Sequence, residues 1–499
     1  MMKVAAVVFV AVLIPLIAKF PKNRCSFIPL AKVVKGIEKM LSGLETLMLG
    51  AARLCFFGSV VALLLPAMVF GDGIVNLYET GQTSCYDELG ALISCAGTGQ
   101  DGEIQAGTSW VLPFTSGSRF TDQGDGTVLD NLTVRRWLKD GDCLGGGWDA
   151  GLTKVGWANT DPDFLESLRA TCTEFTYEPS PTDTSLWRLP NISDLESLFN
   201  AEVPDQIAWM ESVGFVDVQL SYVSSTTYVP MPFGPEFVWY SPTAFGGGAL
   251  FPASKPGGGG ALMVRDDPVA IVFGPPAKWQ TGQTTCYDTV GAVIACDGSD
   301  QMCFDTQGTV IPCPRTGQDG DLQAGVPWPS PRFTDIGDGT VFDELTGLNW
   351  LKDANCIDTE YPGFNENFGG AVTWQHALDF VQGINNGTYP DCGAGHSDWR
   401  LPNRRELHSL TDFSQSNPAL PPGHPFINVQ NNVYWSSTTQ VDSSEINSTA
   451  NAWSIRMWSG ELTWVSKIDN GQWVLPVRGG VAAPVTGNLL PAVLLLLED

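Results

Sequence analysis

Trp399-Arg400-Leu401-Pro402-Asn403-Arg404-Arg405-Glu406 is the stretch from which the fold is read. Asn403 followed three residues later by Glu406 resembles a capping box, in which side chain and backbone satisfy each other's N–H groups and open a helix. The helical repeat then turns Leu407, Leu410 and Phe413 to the core. Upstream, Trp374, Ala377, Leu378, Val381 and Ile384 fall on one face at helical spacing behind Thr373, a residue type suited to the N-cap. Before that, Arg332 to Trp350 reads as two short strands joined at Gly337-Asp338-Gly339, a strong hairpin signal. Val433 to Arg478 is a Trp-rich pattern of strands and turns. The order strands, two helices, strands predicts an α+β arrangement.

The same words occur earlier in the chain. Trp187-Arg188-Leu189-Pro190-Asn191 precedes its counterpart by 212 residues, as does Tyr222-Val223-Ser224-Ser225-Thr226-Thr227 relative to Tyr434-Trp435-Ser436-Ser437-Thr438-Thr439. Trp137-Leu138-Lys139-Asp140 and Trp350-Leu351-Lys352-Asp353 are offset by 213, whereas Cys85 and Cys286 are offset by 201. One change of offset, near an added Cys303 loop, predicts two tandem copies of a unit of about two hundred residues, one of which gained a hairpin. The expected organisation is a hydrophobic leader over 1–71, a first domain over 78–274, a second over 278–480, and an apolar tail over 481–499.

With 43% hydrophobic and 16% charged residues, the chain is globular. Its net charge is −27, and the first seventy residues hold eight Lys and Arg against two acids, so the remainder, with 19 basic and 52 acidic residues, is more acidic still. Such a field repels phosphate backbones and sulfated polysaccharides, which argues against nucleic-acid binding. Two apolar runs, Val4 to Ala18 and Leu54 to Phe70, flank a basic stretch. Met48 to Gly71 has the parts of a secretory signal, with Met40 or Met48 as alternative starts; the rival reading is two membrane segments around a cytoplasmic loop. Both place everything after Asp72 outside the cytoplasm, with the leader as the membrane contact. The tail Leu489 to Leu497 is too short to span a bilayer.

Cysteine usage agrees with an oxidising compartment. Cys85 with Cys95, Cys286 with Cys296, and Cys303 with Cys313 each flank a segment that a turn at Gly90, Gly291 or Gly308 would fold into a hairpin. That leaves Cys143 with Cys172 and Cys356 with Cys392. The alternative, metal binding, lacks a Cys-x-x-Cys, and the histidines are scattered.

In the second copy, Arg332-Phe333-Thr334-Asp335, Trp350-Leu351-Lys352-Asp353, Trp399-Arg400-Leu401-Pro402-Asn403, Tyr434-Trp435-Ser436-Ser437-Thr438-Thr439 and Pro476-Val477-Arg478-Gly479-Gly480 together resemble the Lcl C-terminal domain family, a bacterial domain family of unknown function. The first copy is looser: Val134-Arg135-Arg136 stands where the second has Gly347-Leu348-Asn349. The resemblance implies a C-type-lectin-like fold in both copies, related to that of formylglycine-generating, sulfatase-modifying enzymes, and a role in bacterial surface adhesion. The namesake adhesin binds glycosaminoglycans; this chain lacks its collagen-like tract and is strongly acidic, so adhesion carries over as a class and sulfated-glycan binding does not.

Several groups are candidates for chemistry. Asp122, Asp125 and Asp130, and Asp335, Asp338 and Asp343 in the second copy, could supply oxygen ligands to calcium, although Gly-Asp-Gly is equally a tight turn and no twelve-residue calcium loop is present. No other cofactor is expected. Arg188 and Arg400 beside a helix start read as buried structural ion pairs. Ser436, Ser437, Thr438, Trp453 and Trp458 could offer hydroxyls and aromatic faces to a sugar, while Trp453, Trp458, Trp464 and Trp473 at strand spacing also suit a core. His376, His396, His408 and His424 all lie in the second copy without a serine elbow, and the copper-binding cysteine pair of the formylglycine-generating enzymes has no counterpart, so the chain reads as a non-enzyme. The expected function is an exported surface or periplasmic protein that recognises a glycan or another surface ligand. The alternatives are a cell-envelope structural protein and an enzyme of the sulfatase-modifying type. Intact mass with and without reduction and alkylation tests the compartment: the exported chain should start near Asp72 with its ten remaining cysteines blocked, and free thiols on an uncleaved chain would overturn the assignment.

Overall fold

The computed structural model describes residues 74–110, 118–145, 164–172, 174–179, 187–244, 247–255, 259–266, 278–299, 302–304, 310–312, 316–364 and 369–480. The leader, the tail, Cys313 and the Cys303 side chain lie outside these residues. In the first half, β1 (Cys85–Tyr86) and β2 (Leu92–Ile93) form a hairpin, followed by the one-turn helix α1 (Asp101–Ile104). Then come β3 (Phe120–Asp122), β4 (Thr127–Asp130), β5 (Arg135–Leu138) and the helices α2 (Phe164–Thr171), α3 (Ile192–Leu198) and α4 (Gln206–Ser212). The half closes with β6 (Ser221–Tyr228), β7 (Phe237–Pro242), β8 (Phe251–Ser254) and β9 (Val264–Asp266).

The second half opens on the hairpin β10 (Cys286–Tyr287) and β11 (Val293–Ile294), adds a further hairpin from β12 (Met302–Phe304) and β13 (Val310–Pro312), and continues with α5 (Asp319–Leu322). It proceeds through β14 (Phe333–Asp335), β15 (Thr340–Asp343), β16 (Asn349–Leu351), α6 (Cys356–Glu360), α7 (Trp374–Asn385) and α8 (Arg404–Ser409). It ends with β17 (Val433–Thr439), β18 (Asn451–Arg456), β19 (Glu461–Ser466) and β20 (Val477–Arg478). The chain is thus α+β with small sheets, and among the described residues no helix is long and apolar enough to cross a membrane.

Each half carries an antiparallel four-stranded sheet, ordered β3-β4-β5-β9 and β14-β15-β16-β20, and a three-stranded one, β6-β7-β8 and β17-β18-β19. Strand register explains the four-stranded cores. Val128 opposes Trp137, which opposes Val264, and Val341, Trp350 and Val477 line up likewise. All six are fully buried, so an indole flanked by two β-branched side chains fills the space under each sheet. The first hairpins close as the cysteine spacing requires: Cys85–Cys95 and Cys286–Cys296 are bonded, with Gly90 and Gly291 at φ of 86° and 82° in the turns. Cys143–Cys172 and Cys356–Cys392 are also bonded.

Both Asn-initiated helices have complete capping boxes, Asn191 with Asp194 and Asn403 with Glu406. Arg188 and Arg400 anchor them, with Nη atoms 2.6 Å from Asp194 and 2.5 Å from Glu406. Leu407 and Leu410 are buried as expected, and Phe413 is buried beyond the end of α8. Helix α7 buries Trp374, Ala377, Leu378, Val381 and Ile384. Thr373 stands at its N-cap, yet its hydroxyl makes no capping bond; the Trp374 N–H instead donates to the Lys467 carbonyl at 3.0 Å.

The sequence boundary near 274–278 is not a boundary in packing. All described residues belong to one compact unit within Val69–Asp499, because the segment opening each half docks on the other half. The Gln82 amide donates to the Thr439 carbonyl (2.9 Å) and its oxygen accepts from the Thr439 N–H (2.8 Å), replacing a missing strand rung; Gln283 makes the same pair of bonds to Thr227. Lys467 donates to the carbonyls of Tyr86 and Asp87, and Lys255 to those of Tyr287 and Asp288. At the centre, α3 and α8 meet. Arg405 Nε lies 3.1 Å from Glu196, and His408 Nε2 lies 3.2 Å from the Ser193 hydroxyl.

Glu196 and Arg405 are enclosed, and Arg404 Nε lies 3.9 Å from the same carboxylate, so losing Arg405 leaves Glu196 with only the longer of its two arginine contacts. Arg405→Met is expected to cost about 3–5 kcal/mol, and adding Glu196→Leu should not recover it, because Arg404 would then be buried without a carboxylate. Urea unfolding of the oxidised protein should show one transition for both halves; two separate transitions would mean that the exchanged contacts do not couple them.

Candidate functional site

The hydroxyl run expected to face a ligand lies inside the protein. Ser436 and Thr438 are 0% and Ser437 3% exposed, at a bulge where the β17–β18 register shifts between Trp435 and Thr439. Ser436 donates to the Trp453 carbonyl (2.7 Å), Ser437 N–H to the Pro402 carbonyl (2.8 Å), and Thr438 Oγ1 accepts the Arg404 N–H (3.0 Å). Trp453 is 1% exposed and packs edge-on to Phe199 and Trp464. Trp458 is half-buried, 5.6 Å from the Arg456 guanidinium. Ser436, Ser437, Thr438 and Trp453 therefore form an internal junction, whereas Trp458 keeps part of its surface in solvent. The first half repeats the bulge between Val223 and Thr227.

The calcium candidates do not converge. Asp335 bonds Lys352 at 2.7 Å, Asp338 bonds Thr340 at 2.6 Å and approaches His396, and buried Asp343 is paired with Arg332 at 3.2 Å. In the first half, Asp130 pairs with Arg119 at 2.7 Å, Asp122 with Lys139, and Asp125 with Arg136. Among the described residues no group of three or more His, Cys, Asp or Glu is placed to hold a metal.

Two buried carboxylates that the sequence reading passed over sit at the bulges. Asp101, at the first position of α1, accepts from Thr80 (2.6 Å) and Thr438 (2.7 Å). Asp319, at the first position of α5, accepts from Thr281 (2.5 Å) and Thr226 (2.8 Å). Each joins an opening segment to the opposite half. Burial pushes both up to about 6, against the hydroxyl bonds that favour the charged form.

The central polar cluster is sealed. Burial pushes His408 down to about 3, so the imidazole beside Ser193 is neutral. Burial likewise takes Lys278, which donates to the Ser193 carbonyl at 3.0 Å, down to about 7. Burial would raise Glu196, but Arg405 and Arg404 hold it below the ordinary carboxylate range. Ser193 and His408 are both 0% exposed, which denies this pair contact with a substrate.

An open site forms where the first opening segment faces the second half. The stretch from Ile93 to Ile104 and α7 line a cleft of about 460 Å³, which Trp399 and Arg400 also border. Helical spacing places Gln375, Asp379 and Gln382 in one polar row along it. Gln375 Nε2 donates to Asp379 at 2.9 Å. Opposite, Glu103 is fixed by the N–H groups of Gly97 (2.5 Å) and Gly99 (2.7 Å), and Ile93 and Ile104 add apolar surface. Such polar residues on an amphipathic helix read as a solvent face in the sequence, since only the crossing segment converts that face into a wall.

Residues 339–478 match the Lcl C-terminal domain family. The Lcl C-terminal match runs from the β14–β15 turn to β20 and takes in α7, α8 and the bulged strand β17. It leaves out both opening segments, so one wall of the cleft lies inside the matched region and the other outside it. No curated protein and no solved structure matches the chain.

The raised carboxylates give the junction a pH signature. With folded values near 6, above the ordinary value of 3.8, Asp101 and Asp319 stabilise the fold fully below about pH 4 and lose that contribution as pH rises through 6. The stability of the native chain relative to Asp101→Asn/Asp319→Asn should therefore fall between about pH 4 and 7, by on the order of 2–3 kcal/mol per site. Shifts common to both proteins, such as that of His408, cancel in this comparison. A difference that stays flat across this range in urea titrations would show that these carboxylates are not protonated in the fold.

Proposed function

We propose that the chain is an exported bacterial surface or periplasmic protein, built from two copies of a lectin-like Lcl C-terminal-type domain, that acts by binding rather than catalysis. The open cleft between Ile93–Ile104 and α7 carries this reading. It joins hydrogen-bonding amides and a carboxylate to apolar surface, the usual composition of a recognition site. Four disulfides support an oxidising compartment, and the enclosure of the Ser193–His408 contact argues against its use as a nucleophile and base. The motif offsets support the duplication, although the first copy keeps fewer of the family's residues.

In this reading the second copy supplies one wall of the site and the first copy the other, so neither copy forms it alone. A large side chain at the exposed position Gln382 should fill the cleft without disturbing the core. Binding of the oxidised exported chain to an array of glycans and extracellular polymers should give signals that Gln382→Trp abolishes, with the unfolding midpoint unchanged. A silent array, or signals indifferent to this substitution, would overturn the binding role and favour a structural protein of the cell envelope.

A further inference from the structure

We propose that the cleft beside α7 takes a neutral, polyhydroxylated ligand: a carbohydrate free of sulfate and carboxylate groups. The proposal rests on the binding reading above and names the ligand class of that site. Gln375, Asp379 and Gln382 set two amides and one carboxylate in a row. Asp379 accepts from Gln375 through Oδ1, and its second oxygen has no protein partner among the described residues. The Gln382 side chain likewise has no hydrogen-bond partner among them. A carboxylate only accepts, whereas an amide both donates and accepts. Hydroxyl groups are the partners that satisfy both at once, donating to Asp379 and accepting from the glutamines.

Charged ligands fit less well. Both oxygens of Glu103 are occupied by backbone N–H groups, which fixes a negative charge in the wall opposite α7. The guanidinium bordering the cleft, Arg400, is committed to Glu406 and to the Gly479 carbonyl. An anionic sugar would therefore meet acidic walls on a chain of net charge −27 without a cation to receive it. A cation would find the free oxygen of Asp379 but would make no use of the Gln382 amide donors. Ile93 and the partly exposed Ile104 offer surface for the C–H face of a sugar ring.

Calorimetric titration of the oxidised exported chain with neutral oligosaccharides (lactose, maltotriose and diacetylchitobiose), a heparin tetrasaccharide and tetralysine tests this. A neutral saccharide should bind, with an affinity that changes less than about threefold between about 50 and 500 mM salt. Asp379→Ala and Gln382→Ala should each weaken it by about tenfold, the loss of one good hydrogen bond, with unfolding midpoints unchanged. Preferential binding of heparin or tetralysine, abolished by Gln382→Trp, would overturn the ligand class while leaving the cleft as the site. Neutral binding untouched by both alanine variants would overturn the placement, and failure of every probe to bind would overturn the proposal; a silent glycan array in addition would remove the binding role itself.

Discussion

The contact on which the rest of the structure depends is the docking of each opening segment on the bulged strand of the opposite half. A bulge interrupts a β ladder and leaves backbone groups that must find partners elsewhere. At Thr439 and Thr227 those partners are the side-chain amides of Gln82 and Gln283, which supply a donor and an acceptor at the spacing of a strand rung. Beyond the hairpins of each segment, Asp101 and Asp319 receive the neighbouring threonine hydroxyls. Without the exchanged segments, the Ser-Ser-Thr-Thr runs would expose unsatisfied backbone in the middle of the molecule.

This constraint orders the interior. Because each segment is spent on the other half, α3 and α8 are brought together, and the polar side chains at their contact must compensate one another in an enclosed space. Arg405 with Glu196, and His408 with Ser193, accomplish this. Arg404 adds a stack between Phe199 and Trp453, with its guanidinium 3.9 and 4.2 Å from the two ring centres. Buried ion pairs of this kind contribute little net stability compared with apolar replacements, but they penalise any arrangement that leaves one member alone. The same exchange creates the cleft, since the helix face of one half becomes a wall only when the segment of the other crosses it.

The sequence by itself determined the local elements: capping boxes at Asn191 and Asn403, the hairpins at Gly90, Gly291 and Gly337–Gly339, the apolar face of α7, the pairing of eight described cysteines, and the ion pairs of Arg188 and Arg400. Each follows from groups a few residues apart, or from spacings that a turn converts into a contact. What a hydroxyl or a tryptophan does is not local. Ser436 and Trp453 have the chemistry of a ligand site and the burial of a core, and Asp101 and Asp319 carry no motif that marks them as buried. Whether a side chain meets solvent or another half depends on which surfaces come together, and residues more than three hundred positions apart, such as Asp101 and Thr438, leave no periodic trace of their contact. The tertiary structure alone decided that the two halves exchange their opening segments, because that choice depends on matching unsatisfied backbone across the whole chain.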